Sequence, residues 1–256
     1  MNERKWLLAT LSEDAASLAG QYGLELELDA FCTAANMDAD FAYWDHVVRK
    51  QLTHAPAQVL HAPFAELFPC AIDPRARRLA MERFQQAARI ARRYGIRRMV
   101  AHSGYLPHVY YPEWFEEQSA RFWREFLASQ PEDFELLIEN VLDEAPLSLL
   151  RMIGGIGDDR AAACLDVGHA QVISNHSATA WIETLAPYLK HVHLHNNFGA
   201  SDDHNPPDLG LLDVKLLLQH LDHFAPGATI TLECPDAHGA VAWLQGWRKS
   251  QHSSQM

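Results

Sequence analysis

The residues of this chain that could do chemistry are imidazoles and carboxylates, and they recur at the ends of short apolar runs. Leu60-His61-Ala62-Pro63 closes one run and Val100-Ala101-His102-Ser103-Gly104 the next. Leu137-Ile138-Glu139-Asn140 and Leu165-Asp166-Val167-Gly168-His169 follow. Then come His193-Leu194-His195-Asn196, with Ser201-Asp202-Asp203-His204 just beyond, and finally Thr231-Leu232-Glu233-Cys234. Brought to one face, Glu139, Asp166 and Glu233 would repel one another in a low-dielectric site. Such charges are normally paired, protonated or ligated to a cation. No Lys or Arg stands at these run ends to balance them. A divalent cation would, and imidazole with carboxylate suits Zn, Mn, Co or Fe better than Ca. Taken singly, each residue has a plainer reading. A lone His at a strand end is more often structural than a ligand, and Glu139-Asn140 reads equally as a cap or a salt bridge. Asp202 and His204 read equally as solvated residues of a Gly/Ser/Asp/Pro-rich loop. Their joint occurrence at successive run ends is what points to a metal site.

The elements that must position these residues are strands alternating with helices. Trp6–Thr10, Leu24–Phe31, Val59–Phe64, Arg98–His102, Glu135–Asn140, Ala162–Val167, Lys190–His195 and Ala228–Cys234 read as short strands rich in Val, Ile and Leu. Asp73-Pro74 opens a helix running to about Tyr94, where Gly95 stops it. Pro112 stands near the start of another, reaching about Ser129. Asp213 N-caps one that ends near Phe224, before Pro226-Gly227. Strand–helix alternation implies right-handed crossovers and a parallel sheet. Eight such units in 256 residues predict a single α/β domain over 1–256, a (β/α)8 TIM barrel with 250–256 as a frayed polar tail. An open doubly wound sheet would want a glycine-rich phosphate loop after an early strand, and Ala9–Asp14 holds no glycine. Active sites of such barrels lie at the C-terminal ends of the strands, where the imidazoles and carboxylates fall. His193 and His195, two apart, can point the same way.

Bulk composition narrows the class. Hydrophobic residues make up 48% and charged residues 21%, an ordinary globular balance. A formal charge of −12 weakens any general electrostatic footprint for nucleic acid. No apolar stretch approaches the ~20 residues that cross a bilayer, and Met1–Leu11 does not read as a signal peptide. Cys32, Cys70, Cys164 and Cys234 lack CxxC spacing and read as buried free thiols in a reducing cytoplasm.

At these same residues the chain resembles the xylose isomerase-like barrel superfamily, which includes sugar isomerases and epimerases and the family 2 apurinic-site endonucleases. The similarity runs in order from about Leu60 to Cys234. Cys164-Leu165-Asp166-Val167-Gly168-His169-Ala170 is its most specific part, supported by His191-Val192-His193-Leu194-His195. From the isomerase and epimerase relatives, the resemblance implies one divalent metal held by Glu139, Asp166, His193 and Glu233. The two glutamates would also serve as catalytic acid and base, with His169 binding substrate. From the endonuclease relatives it implies a trinuclear zinc cluster on His61, His102, Glu139, Asp166, His169, His193, Asp202, His204 and Glu233, all of which are present. The expected cofactor is therefore a divalent metal, Zn or Mn, in one to three ions.

Two chemistries follow. One is isomerisation or epimerisation of a small sugar, polyol or other hydroxy-carbonyl compound, with Glu139 and Glu233 moving the proton. The other is zinc-assisted hydrolysis of a phosphate ester. Arg92, Arg93, Arg97 and Arg98 fall at the bottom of the barrel and read as a solvated face. The loops on the catalytic side carry Asp38, Asp40, Asp45, Glu113, Glu116, Glu117, Asp143, Glu144, Asp203 and Asp208, an acidic rim that repels a DNA backbone. A small-molecule substrate is therefore expected, and nucleic acid and membrane are not; a homodimer is compatible with this reading. Isomerase chemistry stands slightly ahead, although Asn196 replaces the Asp of many relatives and the Arg that ketose epimerases carry after the seventh-strand His is missing. Phe64, Tyr105 and Trp114, with His169 and His195, are expected to line the substrate pocket, although such aromatics also seal barrel mouths. A non-catalytic barrel that binds a metal or small ligand is the third reading. Metal affinity is expected to fall below about pH 6, where unperturbed His protonates.

Overall fold

The computed structural model describes residues 4–253. Its strands are β1 (Trp6–Ala9), β2 (Glu25–Leu28), β3 (Ala57–His61), β4 (Arg98–His102), β5 (Glu135–Glu139), β6 (Ala161–Asp166), β7 (Leu189–Leu194) and β8 (Thr229–Leu232). They pair in sequence order, all parallel, and close into one barrel. Leu8 of β1 lies opposite Leu26 on one side and Leu232 of β8 on the other, so no sheet edge is left open. The helices are α1 (Ala15–Tyr22), α2 (Ala34–Met37), α3 (Phe41–Gln51), α4 (Pro74–Arg93), α5 (Pro112–Ala128), α6 (Pro146–Ile156), α7 (Val167–Ile173), α8 (Ala178–Leu185), α9 (Val214–Phe224) and α10 (Ala237–Ser253). This is the (β/α)8 barrel that the alternation predicts.

Local chemistry sets the boundaries. The Asp73 carboxylate accepts from the Arg75 N–H beside Pro74, and Gly95, at φ 75°, lets the chain leave α4. Asp213 accepts from the Leu216 N–H at the start of α9. α10 continues to Ser253, into the segment expected to fray, and residues 254–256 of that segment lie outside the described part. Among the described residues, no helix is long and apolar enough to cross a membrane. The cysteines are all free, and Cys32 is only partly buried.

Two separate buried layers hold the barrel together. The larger lies between strands and helices and contains Trp123, Trp181, Phe84, Phe122 and Phe126, with the Phe84 and Trp123 rings 4.8 Å apart. The smaller consists of Leu7, Val59, Val100, Leu137, Ala162 and Cys164 and includes no helix residue. It is the lumen of the barrel. β2, β7 and β8 contribute polar groups there instead: Glu27, His191, His193 and Thr231 are all buried. The apolar-strand reading therefore needs correction for β2, where Leu26 and Leu28 join the layer that includes the helices while Glu27 enters the lumen.

The basic cluster also divides. Arg92 reaches Gln130, Arg93 pairs with Asp45, and Arg97 pairs with Asp133. Arg98 is no part of a solvated face. It stands two residues before the lumen-facing Val100, so the period of the strand turns it inward. There it donates to Glu135 Oε2 at 2.7 Å and Thr229 Oγ1 at 2.9 Å, under the lumen.

Candidate metal centre

Four strand ends converge first. One donor atom from each of Glu139, Asp166, His193 and Glu233 falls in a group whose members all lie within 4.8 Å of one another. His193 Nδ1 stands 3.3 Å from Glu139 Oε1, 3.2 Å from Glu233 Oε2 and 3.8 Å from Asp166 Oδ2. His193 Nδ1 and Glu233 Oε2 are buried yet make no hydrogen bond. A buried imidazole nitrogen without a hydrogen-bond partner among carboxylate oxygens is what a cation would satisfy, so the donor set fits a divalent metal.

Two further sets flank this one. Glu139 Oε2 turns the other way, 3.3 Å from His61 Nε2 and 3.5 Å from His102 Nε2. Asp202 Oδ2 lies 3.1 Å from His169 Nε2 and 2.9 Å from His204 Nε2. The nine expected ligands are thus drawn into three adjoining groups, with Glu139 shared between two. His195, His204 and Glu233 form a fourth, overlapping group.

The backbone explains why these residues meet. Asp166 ends β6 and also caps α7, its Oδ1 accepting from the His169 N–H at 2.7 Å. The spacing of Asp166 and His169 is therefore that of a cap and the third helical residue. Gly168 lies between them because a Cβ there would fall 1.9 Å from His195 Cε1. Asp202 and His204 are carried back over the mouth by a loop that folds on itself. Asn196 and Asn205 exchange backbone hydrogen bonds, the Asn196 Nδ2 donates to Pro207 O at 2.8 Å, and its Oδ1 accepts from the N–H groups of Asn197 and Leu212. An Asp at 196 could not make the bond to Pro207, which gives Asn196 its own structural reason.

Three imidazoles are oriented by backbone carbonyls. The Nδ1–H groups of His61, His169 and His204 reach Ala62 O, Asn140 O and Glu233 O at 2.9, 3.0 and 3.0 Å, leaving each Nε2 toward the cluster. His193 is turned the opposite way. Its Nε2 meets Glu27 Oε1 at 3.0 Å, and Nδ1 faces the carboxylates.

The electrostatics match this packing. Burial opposes ionisation of Glu139, but His193, 3.3 Å away, holds its carboxyl well below the usual range. Asp166 is lowered against its burial by His169 and His195, and Asp202 against its burial by His169 and His204. Burial works against charge on His61 and His204 too, yet Glu139 raises the first to about 9 and Asp202 the second to about 9. His102 goes down to about 3, chiefly through burial. Protonated imidazoles thus balance the carboxylates, and a divalent cation would take the place of those protons.

The expected pocket residues separate. His195 is fully buried, with Nε2 3.0 Å from Asp166 Oδ2 and its ring stacked on His204 at 3.8 Å, so it supports Asp166 rather than facing the mouth. Tyr105 is buried against Phe115 in the hydrophobic core. Phe64 stacks on His102 at 4.6 Å and stays 42% exposed. Trp114 is partly exposed and donates to Cys70 O. The acidic rim is smaller than expected. Asp143 is buried on Ser103, Asp38 pairs with Arg83, and Asp45 lies against Arg49 and Arg93. Glu113, Glu117, Glu144, Asp203 and Asp208 remain exposed.

Sequence reasoning missed Glu27 and Asp29. Asp29 accepts from the Thr10 N–H at 2.7 Å, and burial, then the charge of Glu27, lifts its carboxyl to about 7. The available signal was the alternation Glu25-Leu26-Glu27-Leu28-Asp29. In a barrel covered by helices, the polar side of such a strand has only the lumen to face.

A closed (β/α)8 barrel with imidazoles and carboxylates gathered at the C-terminal ends of its strands places this protein among the TIM-barrel proteins with a candidate metal centre. The model of one family, the xylose isomerase-like TIM barrels, matches residues 14–254, and the chain belongs to that family. An uncharacterised protein of Methanocaldococcus jannaschii is 25% identical over 193 residues, covering 72% of this chain, while the match spans 66% of that protein's length. A D-tagatose 3-epimerase-like protein superposes with a TM-score of 0.79 at 20% identity, covering 98% of this chain and all of the other. A Thermus thermophilus protein soaked with zinc chloride superposes with a TM-score of 0.74 at 24% identity, covering 94% of this chain and 97% of the other.

Proposed function

We propose that this protein is a metal-dependent isomerase or epimerase acting on a small hydroxy-carbonyl compound, a sugar or polyol. The observation that carries this reading is that Glu139 Oε1 and Glu233 Oε2 both lie against His193 Nδ1, at 3.3 and 3.2 Å. Glu139, Asp166, His193 and Glu233 would hold the cation. When bound, it supplies positive charge that makes a C–H beside a substrate carbonyl more acidic. Glu233, whose Oε2 has no partner, would take that proton, and Glu139 would return or shuttle one. Phe64 and Trp114 offer apolar surface near the mouth for a sugar face. The epimerase-like fold neighbour and the zinc-soaked one support the choice of substrate class and cation.

A second reading, zinc-dependent hydrolysis of a small phosphate ester, is favoured by the two flanking sets, His61–His102–Glu139 and His169–Asp202–His204. One experiment separates the two. Protein loaded with Zn or Mn is incubated in D2O with a panel of ketoses and inosose-like polyols, and in parallel with an aryl phosphate diester. Deuterium entering the carbon beside the carbonyl, lost in Glu233→Gln, is the expected result. Hydrolysis of the diester without any exchange would replace the first reading by the second.

A further inference from the structure

Beneath the candidate metal centre a file of hydrogen-bonded groups runs down the lumen. Arg98 Nη1 donates to Thr229 Oγ1 at 2.9 Å, and Thr229 Oγ1 lies 2.6 Å from His191 Nδ1. His191 Nε2 is 3.1 Å from Glu27 Oε2, which also accepts from Thr231 Oγ1 at 2.5 Å. The other oxygen of Glu27 faces His193 Nε2 at 3.0 Å. All of these groups belong to β2, β4, β7 and β8; His193 joins the groups at the strand ends, and His191 lies with it and Cys164 in a deeper cluster.

Hydrogen-bond inventory gives this file one direction. A guanidinium can only donate, and a carboxylate can only accept. Glu27 therefore requires an N–H from His191 Nε2 and another from His193 Nε2. With its proton on Nε2, His191 offers a lone pair at Nδ1, which takes the hydroxyl hydrogen of Thr229. Thr229 in turn uses its oxygen to accept from Arg98. The competing acceptor for that hydroxyl, Lys190 O, is farther away at 3.4 Å and already takes a bond from Arg98 Nη2. Reversing any one imidazole would set a lone pair against a carboxylate oxygen, so the file has a single consistent arrangement. Its upper end is His193 with a proton on Nε2, which leaves Nδ1 as the nitrogen that faces the carboxylates and would meet a cation.

We propose that Glu27 is the positioning residue of the metal centre. It fixes the ring of His193 so that Nδ1 faces Glu139, Asp166 and Glu233, and the Arg98–Thr229–His191 file fixes Glu27 in turn. This deepens the metal-binding reading and rests on it. The arrangement also accounts for a carboxylate in a lumen otherwise lined by Leu7, Val59, Val100 and Leu137, where an apolar side chain would fill the space. A carboxylate behind a liganding imidazole fixes its tautomer and raises its basicity, and losing one commonly costs 10–100-fold in metal affinity.

The test uses the full chain with Zn(II) alone as probe. Zn(II) affinity is measured by chelator competition for the wild type, Glu27→Gln and Thr229→Val. Histidine 15N shifts are recorded on the metal-free and Zn(II)-loaded proteins. In the wild type, His193 should bind through Nδ1 with its proton on Nε2, and His191 should be a single Nε2–H tautomer. Glu27→Gln should bind Zn(II) roughly 10–100-fold more weakly. Thr229→Val should leave the Nε2–H tautomer in place but remove the donor to His191 Nδ1, moving the 15N shift of that nitrogen toward that of an unbonded lone pair, a change that packing alone would not produce and one readable even if Glu27→Gln does not fold. Tight wild-type binding matched by Glu27→Gln, or His193 bound through Nε2, would overturn the role of Glu27 alone. A His191 Nδ1 shift unmoved in Thr229→Val would overturn the file beneath it. A wild type that binds no Zn(II) would overturn the metal centre and this proposal together.

Discussion

Asn140 and Asp166 clasp one another between the neighbouring ends of β5 and β6: the Asn140 Nδ2 donates to the Asp166 carbonyl and its Oδ1 accepts from the Asp166 N–H, both at 2.9 Å. A side chain just past β5 thus continues the ladder to β6 where the backbone of β5 has ended. The backbone carbonyl of Asn140 meanwhile takes the Nδ1–H of His169. One residue therefore sets both the strand end that carries Asp166 and the ring of His169. Asn140→Asp should turn a donor into an acceptor against a buried carbonyl. We expect a loss of about 1–3 kcal/mol in urea unfolding. An unchanged midpoint would show that Asp166 is held by other means.

Gly168→Ala tests how tightly His195 is seated. The added Cβ would meet the imidazole at 1.9 to 2.7 Å, so the ring must leave its place on Asp166. Overpacking of this kind typically costs about 1–3 kcal/mol. Weaker Zn(II) binding should accompany the lower melting temperature, because Asp166 loses its partner. Wild-type values for both would mean that His195 does not hold Asp166.

The pH response is expected at higher pH than unperturbed histidines would give. His61 and His204 stand at about 9 in the folded protein, against about 6.5 for a free imidazole. A raised folded value stabilises fully below the unfolded value and is lost as pH rises through the folded one. Metal-free protein should therefore lose stability between about pH 6.5 and 9, and Asp29, raised to about 7, contributes in the same direction at lower pH. Zn(II) must displace the same protons, so its affinity should keep rising to about pH 9 rather than level off just above 6. Melting curves and Zn(II) titrations from pH 6 to 9.5 check both. A flat melting temperature would contradict the pairing of these rings with Glu139 and Asp202.

Glu139→Gln and Glu233→Gln should each lower turnover by roughly 10²- to 10⁴-fold, the usual worth of a positioned acid or base. Their metal contents should fall too, because each glutamate belongs to two groups: Glu139 to the central one and to that of His61 and His102, Glu233 to the central one and to that of His195 and His204. Elemental analysis should find less metal in both variants. Wild-type metal content in both would remove these glutamates from the metal centre.

The sequence by itself determined the alternation of strands and helices, and hence the barrel. Period, turn residues and caps are local properties, as Asp73-Pro74, Gly95 and Asp213 illustrate. It also delivered the nine residues that gather at the mouth, because a parallel barrel sends every strand's C-terminal end to one face. Only closure of the barrel decided which side of each strand looks inward. That choice made Glu27 a lumen group behind His193 and turned Arg98 from a surface cation into the floor of a buried file. Long-range contact also decided between pocket and packing: His195 and Tyr105 became buried supports, while Phe64 and Trp114 stayed at the surface. The return of Asp202 and His204 over the mouth depends on Asn196 meeting Asn205 and Pro207. A hydrogen bond within an irregular loop satisfies its groups only once the loop has folded, and so leaves no periodic trace in the sequence.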